Sequence, residues 1–202
     1  GKESLPSDWV LMYFSNLDDP GLTILPTHRV LPGPLPCPVP EFRQRLVETF
    51  TVETMAFAKE TEPVARAKFL GALLAARATN AHVMGLIVRG ESRYEVLTLN
   101  AEGLSRLGAS ARERLDVSIL QQMVFRGALR MEPKDEERLI YIKDEEDVLA
   151  AMARGDGELA VLLNPPKITE VKDVARAGDR MPHKSTYFYP KPLTGLVINR
   201  MD

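Results

Sequence analysis

The segment Asp179-Arg-Met-Pro-His-Lys-Ser-Thr-Tyr-Phe-Tyr-Pro-Lys-Pro192 concentrates the chemistry of the chain. From Arg180 to Lys191 it carries Arg180, Lys184 and Lys191 with no acid, together with His183 and the hydroxyls of Ser185, Thr186, Tyr187 and Tyr189. A planar guanidinium fork, mobile ammonium groups and short hydroxyl donors suit a phosphate or a carboxylate. Prolines on either side stiffen such a loop and hold its donors ready. The expected guest is an anion, with Arg180, His183, Lys184, Ser185, Thr186, Tyr187 and Lys191 as its ligands. The bland alternative is a set of solvated surface charges with the tyrosines packed beside a sheet.

Two further groups could join it. In Leu25-Pro-Thr-His-Arg29, Thr27, His28 and Arg29 offer a hydroxyl, an imidazole able to act as base or proton donor, and a second guanidinium. His28 is the candidate catalytic residue, and an edge-strand histidine without a reaction to serve is the alternative. Asn164 in Leu163-Asn-Pro-Pro166 falls at the carboxyl end of an expected parallel strand, where ligands of open α/β sheets collect. Metal binding is weakly supported, because His28, His82 and His183 have no short mutual spacing. His82, at the head of a strand-like run, reads as structural. Neither Gly-x-Gly-x-x-Gly nor the phosphate-loop pattern ending in Gly-Lys-Ser/Thr occurs, so no cofactor is assigned. The lone Cys37 lies among prolines and supports neither a disulfide nor an activated thiol.

The elements that must position these residues are legible in outline. Trp9 to Phe14 is a continuous apolar run expected as a buried strand, and Leu22 to Leu31 as a second strand that Pro26 bends or ends. The prolines between Pro20 and Pro40, seven of the chain's 15, exclude helix from 32 to 40. Phe42, Leu46 and Phe50 then share one helical face, and Glu62 to Arg77 is a second helix. Ala81 to Val88 and Tyr94 to Leu99 form a hairpin across a charged turn. Ser110 and Ser118 each open a capping-box spacing, the second leading a helix to about Ala128, with a loop from Met131 to Glu137. Arg138 to Ile142, a helix capped by Asp144, Glu158 to Leu163, and a helix capped by Thr169 make a C-terminal β-α-β-α unit. Leu193 to Asn199 supplies a last strand. The fold class is therefore mixed α+β, an α/β arrangement with a partly parallel sheet and flanking helices.

Composition sets the remaining bounds. With 202 residues, 26 bases, 28 acids and a formal charge of −2, the chain is not a polycation, and nucleic acid is an unfavoured partner. One compact domain over 1–202 is expected, with 1–110 and 111–202 as the alternative division. No apolar stretch reaches the ~20 residues of a membrane span, and no signal segment is recognisable, so the expected location is cytoplasmic. Gly1 in place of a methionine suggests a fragment of a longer protein. The stretch Glu132 to Asp147 has eight acids against three bases and is expected at the surface.

Pro26-Thr-His-Arg29, Leu163-Asn-Pro-Pro166 and Arg180 to Lys191, in this order, resemble motifs of the uncharacterised prokaryotic family known as domain of unknown function 1015. The resemblance is read as covering nearly all 202 residues and as corresponding to that family's C-terminal two-thirds. His183 stands where many relatives have glutamine or another polar residue. Complete members resemble longer proteins with an upstream Asp-Gly-His-His-Arg stretch, absent here and similar to a phosphate-handling stretch of ParB-like proteins and free-serine kinases. The resemblance implies a domain that contributes an anion or phosphate site to a phosphoryl-transfer or nucleotide-dependent enzyme, with that upstream region as partner. The alternative is a non-catalytic ligand-binding or interaction module. Whether the chain is an enzyme, and whether it forms a homo-oligomer, the sequence leaves open.

Overall fold

Among the described residues six strands form the main sheet, in the order β3-β5-β4-β7-β2-β6. They are β2 (His28–Leu31), β3 (Phe50–Ala56), β4 (Val83–Val88), β5 (Arg93–Leu99), β6 (Ile140–Ile142) and β7 (Leu159–Leu163). A separate two-stranded sheet pairs β1 (Thr23–Leu25) with β8 (Tyr187–Tyr189). The computed structural model describes residues 12–79, 81–193 and 195.

Every described strand pair is antiparallel, which corrects the expected partly parallel sheet. The β-α-β-α unit is present as β6, α6 (Glu145–Arg154), β7 and α7 (Ile168–Arg176). Its strands are not neighbours, however: β2 lies between β6 and β7 and pairs antiparallel with both. The two strands of the unit therefore run the same way without touching, a split β-α-β arrangement. Chain order cannot show that an earlier strand will insert into the crossover, and this is why the pattern misleads.

The strands of the centre read as unbroken apolar runs because both faces are covered. Every residue of β4 and β7 is buried. On one face Leu31, Met84, Leu86, Leu97 and Val161 pack against Phe42 and Leu46 of α1 (Val39–Thr49) and against Leu120, Val124 and Phe125. On the other, Val30, Ile87, Val96, Ala160 and Leu162 pack against Phe69 and Leu73 of α2 (Glu62–Ala76) and Val148 and Met152 of α6. Gly85 in the middle of β4 is needed there, because a methyl group on it would run into the Phe69 ring and Leu73.

Local chemistry fixes several ends. Asp144 caps α6 by accepting the Glu146 N–H at 3.0 Å, and Gly155 closes it at φ +84°. Ser110 and Glu113 bond reciprocally, but a turn follows rather than a helix. The next helix starts at Asp116, with α4 (Asp116–Ile119) running into a π-helix (Leu120–Ala128). α7 begins at Ile168, so Thr169 lies inside it rather than capping it.

Other expectations change. Pro26 splits Leu22–Leu31 into β1 and β2, which belong to different sheets. Met12, Tyr13 and Phe14 are exposed and outside any strand, while residues 9–11 lie outside the described residues. Phe50, expected to share the helical face of Phe42 and Leu46, instead opens the strand Phe50–Ala56; Pro133–Glu136 is a short helix, α5, where a loop was expected; and Ala101–Ser105 forms α3. Of the last expected strand, residues 194 and 196–199 lie outside the described residues. Among the described residues no helix is long and apolar enough to cross a membrane.

Candidate functional site

The register brings several loops to one edge of the sheet. His28 of β2 faces Ile142 of β6, and Met84 of β4 faces Leu163 of β7. The amino ends of β2 and β4 and the carboxyl ends of β6 and β7 therefore share that edge, which carries Thr27, Lys143, Asn164 and His82. The late segment joins it through β8, whose Tyr187 pairs with Leu25. Arg29 Nη2 then donates to the Lys184 carbonyl at 2.9 Å.

A cavity of about 620 Å³ opens at this junction, lined by Thr27, Tyr141, Lys143, Asp147, Lys184, Thr186, Tyr187 and Lys191, with Ile142 at its wall. Tyr187 is its centre: Lys191 Nζ lies 4.6 Å and Lys143 Nζ 5.4 Å from the ring centroid. Such contacts steady the ammonium groups without neutralising them. Among the described residues none of Lys143, Lys184 and Lys191 has a carboxylate within ion-pair distance. Three bases against the single acid Asp147 leave the lining two charges positive. Lys184 occupies the left-handed region at φ +54° in a turn closed by Ser185 N–H donating to the Pro182 carbonyl at 3.2 Å. That is a costly conformation for a side chain with a Cβ.

Arg29 and His183 line a neighbouring cavity of about 600 Å³ with Gln121, Gln122 and Arg126 of the π-helix. Tyr141 forms a wall of both cavities. The Arg29 guanidinium is buried, lies 5.5 Å from the Tyr141 ring centroid, and bonds to the Thr27 and Lys184 carbonyls. No carboxylate pairs with it among the described residues, and burial pulls its pKa down to about 10. The His183 ring meets Tyr141 edge-on at 6.4 Å.

The other candidates are placed differently. His28 is buried and lines neither cavity. Its Nδ1 accepts the Leu163 N–H at 3.1 Å, so its proton sits on Nε2, which has no hydrogen-bond partner among the described residues and stands 3.9 Å from Glu145 Oε2. Burial holds its pKa down to about 4, against the opposing pull of Glu145. Ser185 is buried with its Oγ unpartnered among the described residues. Arg180 is exposed and lines neither cavity. Asn164 lines a third cavity, with His82.

Lys143 and Tyr141 were missed by the sequence reading. The run Tyr141-Ile-Lys143 looks like an ordinary edge strand, and only the antiparallel placement of β6 beside β2 turns it toward the late loop. Among the described residues no three His, Cys, Asp or Glu side chains cluster as a metal site.

Residues 1–118 match the family described as protein of unknown function, DUF1015, and the chain belongs to that family. The match falls on the N-terminal part of the chain, which corrects the reading of a resemblance over nearly all 202 residues as the family's C-terminal two-thirds. Leu163–Pro166 and Arg180–Lys191 lie outside it. No curated protein matches the chain. Among solved structures, one described as a free serine kinase in complex with AMP aligns at 18% identity and TM-score 0.43, covering 86% of this chain and 56% of that one. A conserved hypothetical protein from Pyrococcus furiosus aligns at 19% identity and TM-score 0.44, covering 86% and 59%. The chain thus spans less than two-thirds of each, and at these scores the likenesses assign it neither ligand nor activity.

Proposed function

We propose that the cavity around Tyr187 binds a phosphate-bearing small ligand, and that the domain supplies this anion-binding wall to a phosphoryl-transfer or nucleotide-dependent enzyme. The observation that carries the reading is the convergence of Lys143, Lys184 and Lys191, each without a carboxylate partner among the described residues, on one cavity of about 620 Å³. Unneutralised ammonium groups beside a low-dielectric wall attract a polyanion, and Thr27 and Thr186 add hydroxyl donors. Phosphoryl transfer rests chiefly on positioning and on stabilising charge, which such a wall can supply.

The burial of His28 favours a second reading, a binding module without catalysis. A histidine that stays neutral down to about pH 4 and lines neither cavity next to it is poorly placed to relay protons to a ligand there.

Inorganic pyrophosphate titrated into the chain, followed by the amide resonances of Thr27 and Thr186, tests the binding. Each lysine removed should weaken it roughly fivefold, and Lys184→Ala with Lys191→Ala about twentyfold, with a shallower salt dependence. Unchanged affinity in the double variant would remove the reading. Turnover of a nucleoside triphosphate that is lost in the same variant separates the enzyme from the module.

A further inference from the structure

The third cavity, of about 440 Å³, holds a feature that the lysine cavity lacks. His82 Nδ1 lies 2.7 Å from Asp116 Oδ1, and both residues line the space. The two are held on fixed elements. His82 immediately precedes β4, with its carbonyl accepting the Leu99 N–H at 3.0 Å, and Asp116 opens α4. A carboxylate accepts a hydrogen bond from Nδ1–H, so Nε2 is left as the basic nitrogen. This is the opposite tautomer from His28, whose Nδ1 is the acceptor.

Cations surround the pair. Arg77 and Arg114 line the cavity, and neither has a carboxylate within ion-pair distance among the described residues. Arg77 Nε donates to Asn164 Oδ1 at 3.1 Å, and Asn164 Nδ2 in turn donates to the Leu73 carbonyl at 2.9 Å. Asn164 is thereby a positioning residue for the guanidinium. α7 adds Glu170, whose pKa burial raises, and the preceding loop adds Lys167, which donates to the Thr79 carbonyl at 2.7 Å. With Arg77, Arg114 and Lys167 against Asp116 and Glu170, the lining carries one positive charge when His82 is neutral.

We propose that this cavity is a second oxyanion site, separate from the lysine cavity, in which Arg77 and Arg114 hold a dianion of the phosphate class and His82 takes up one solvent proton as the dianion binds. Asp116 stabilises the imidazolium that forms, and the new Nε2–H donates to the anion. Two strands, β7 and β2, separate the β4 end from the β6 end that carries Lys143. At about 4.8 Å per strand the ends that carry His82 and Lys143 lie roughly 14 Å apart, so a single phosphate cannot reach both.

Sulfate is the probe, because it stays a dianion across the histidine range. The full chain is titrated with sodium sulfate at constant ionic strength at about pH 8 and about pH 6, following the ring resonances of His82 and the Nε–H of Arg114. Sulfate should shift both, bind roughly fivefold or more tightly at the lower pH, and raise the titration midpoint of His82. His82→Gln should bind sulfate with the same affinity at both pH values, and Arg114→Ala should weaken it roughly tenfold. Sulfate that moves Thr27 and Thr186 but not His82 occupies the lysine cavity alone and overturns the proposal. So does a His82 midpoint that sulfate leaves unchanged in the native chain, a readout that needs no variant to fold.

Discussion

Arg29 Nη2 donates to the main-chain carbonyl of Lys184 at 2.9 Å, joining two residues 155 positions apart. The bond ties the late basic turn to β2, at the point where Lys184 adopts its left-handed backbone. A buried guanidinium spends its charge on two carbonyls here rather than on a carboxylate. Such charge-assisted bonds are each worth about 1.5–3 kcal/mol. Arg29→Ala should therefore lower the unfolding free energy by roughly 3 kcal/mol, read from the urea midpoint. The same variant should speed hydrogen exchange at Ser185, whose N–H closes the Lys184 turn. A Ser185 amide as protected as in the parent chain would show that the turn holds itself.

The burial of His28 gives stability a specific pH dependence. Its folded pKa of about 4 lies below the value near ~6.5 of an unfolded chain. As pH falls, the unfolded chain takes the proton first, so the contribution is whole above about pH 6.5 and is lost on the way down to about 4. The loss should be on the order of 3 kcal/mol. His28→Gln keeps an acceptor for the Leu163 N–H and removes the titration, so its stability should be nearly flat over this window. Urea unfolding across that pH range distinguishes the two. Parallel curves for the two proteins would mean that Glu145, 3.9 Å away, closes onto the imidazole and offsets its burial.

The sequence showed the elements more plainly than their neighbours. Phe42 and Leu46, four apart, and the unbroken apolar run of Leu159–Leu163 mark a helix and a buried strand without help, because burial on one or both faces is written in residue type. The place of β2 between β6 and β7 is not written locally, since 108 residues separate the end of β2 at Leu31 from the start of β6 at Ile140. The same holds for the site. Lys184, Thr186, Tyr187 and Lys191 are adjacent in sequence and could be grouped with Thr27 by chemistry alone. Lys143 reached them only through the pairing of β6 with β2. The surroundings of the two histidines are not local either: His28 lies in the core, while His82 meets Asp116, 34 residues away, at a helix start.

A buried carboxylate on β5 offers the sharpest test of what holds the sheet together. Glu95 is 3% exposed and accepts from Arg43 of α1 through Nε at 3.0 Å and Nη2 at 2.8 Å. Arg43 also reaches Glu91 in the β4–β5 turn through Nη1 at 2.9 Å. One guanidinium thus clamps helix, strand and turn, and its own pKa is pushed further up by the bonds to Glu91 and Glu95. Removing it leaves the buried Glu95 carboxyl with no cationic partner nearer than Arg93 Nε at 3.9 Å, so Arg43→Met should cost about 3–5 kcal/mol. Arg43→Met combined with Glu95→Leu removes the stranded charge and should recover most of that loss. The acid limb carries an independent signature. Bonds from Arg43 hold the Glu91 carboxyl down to about 2, so its contribution is whole above the unfolded value near ~4.3 and fades as pH falls toward about 2. Arg43→Met should flatten that limb. Urea midpoints that fall equally in the single and double variants would show that packing of the Arg43 stem, not its charge, is what the sheet needs.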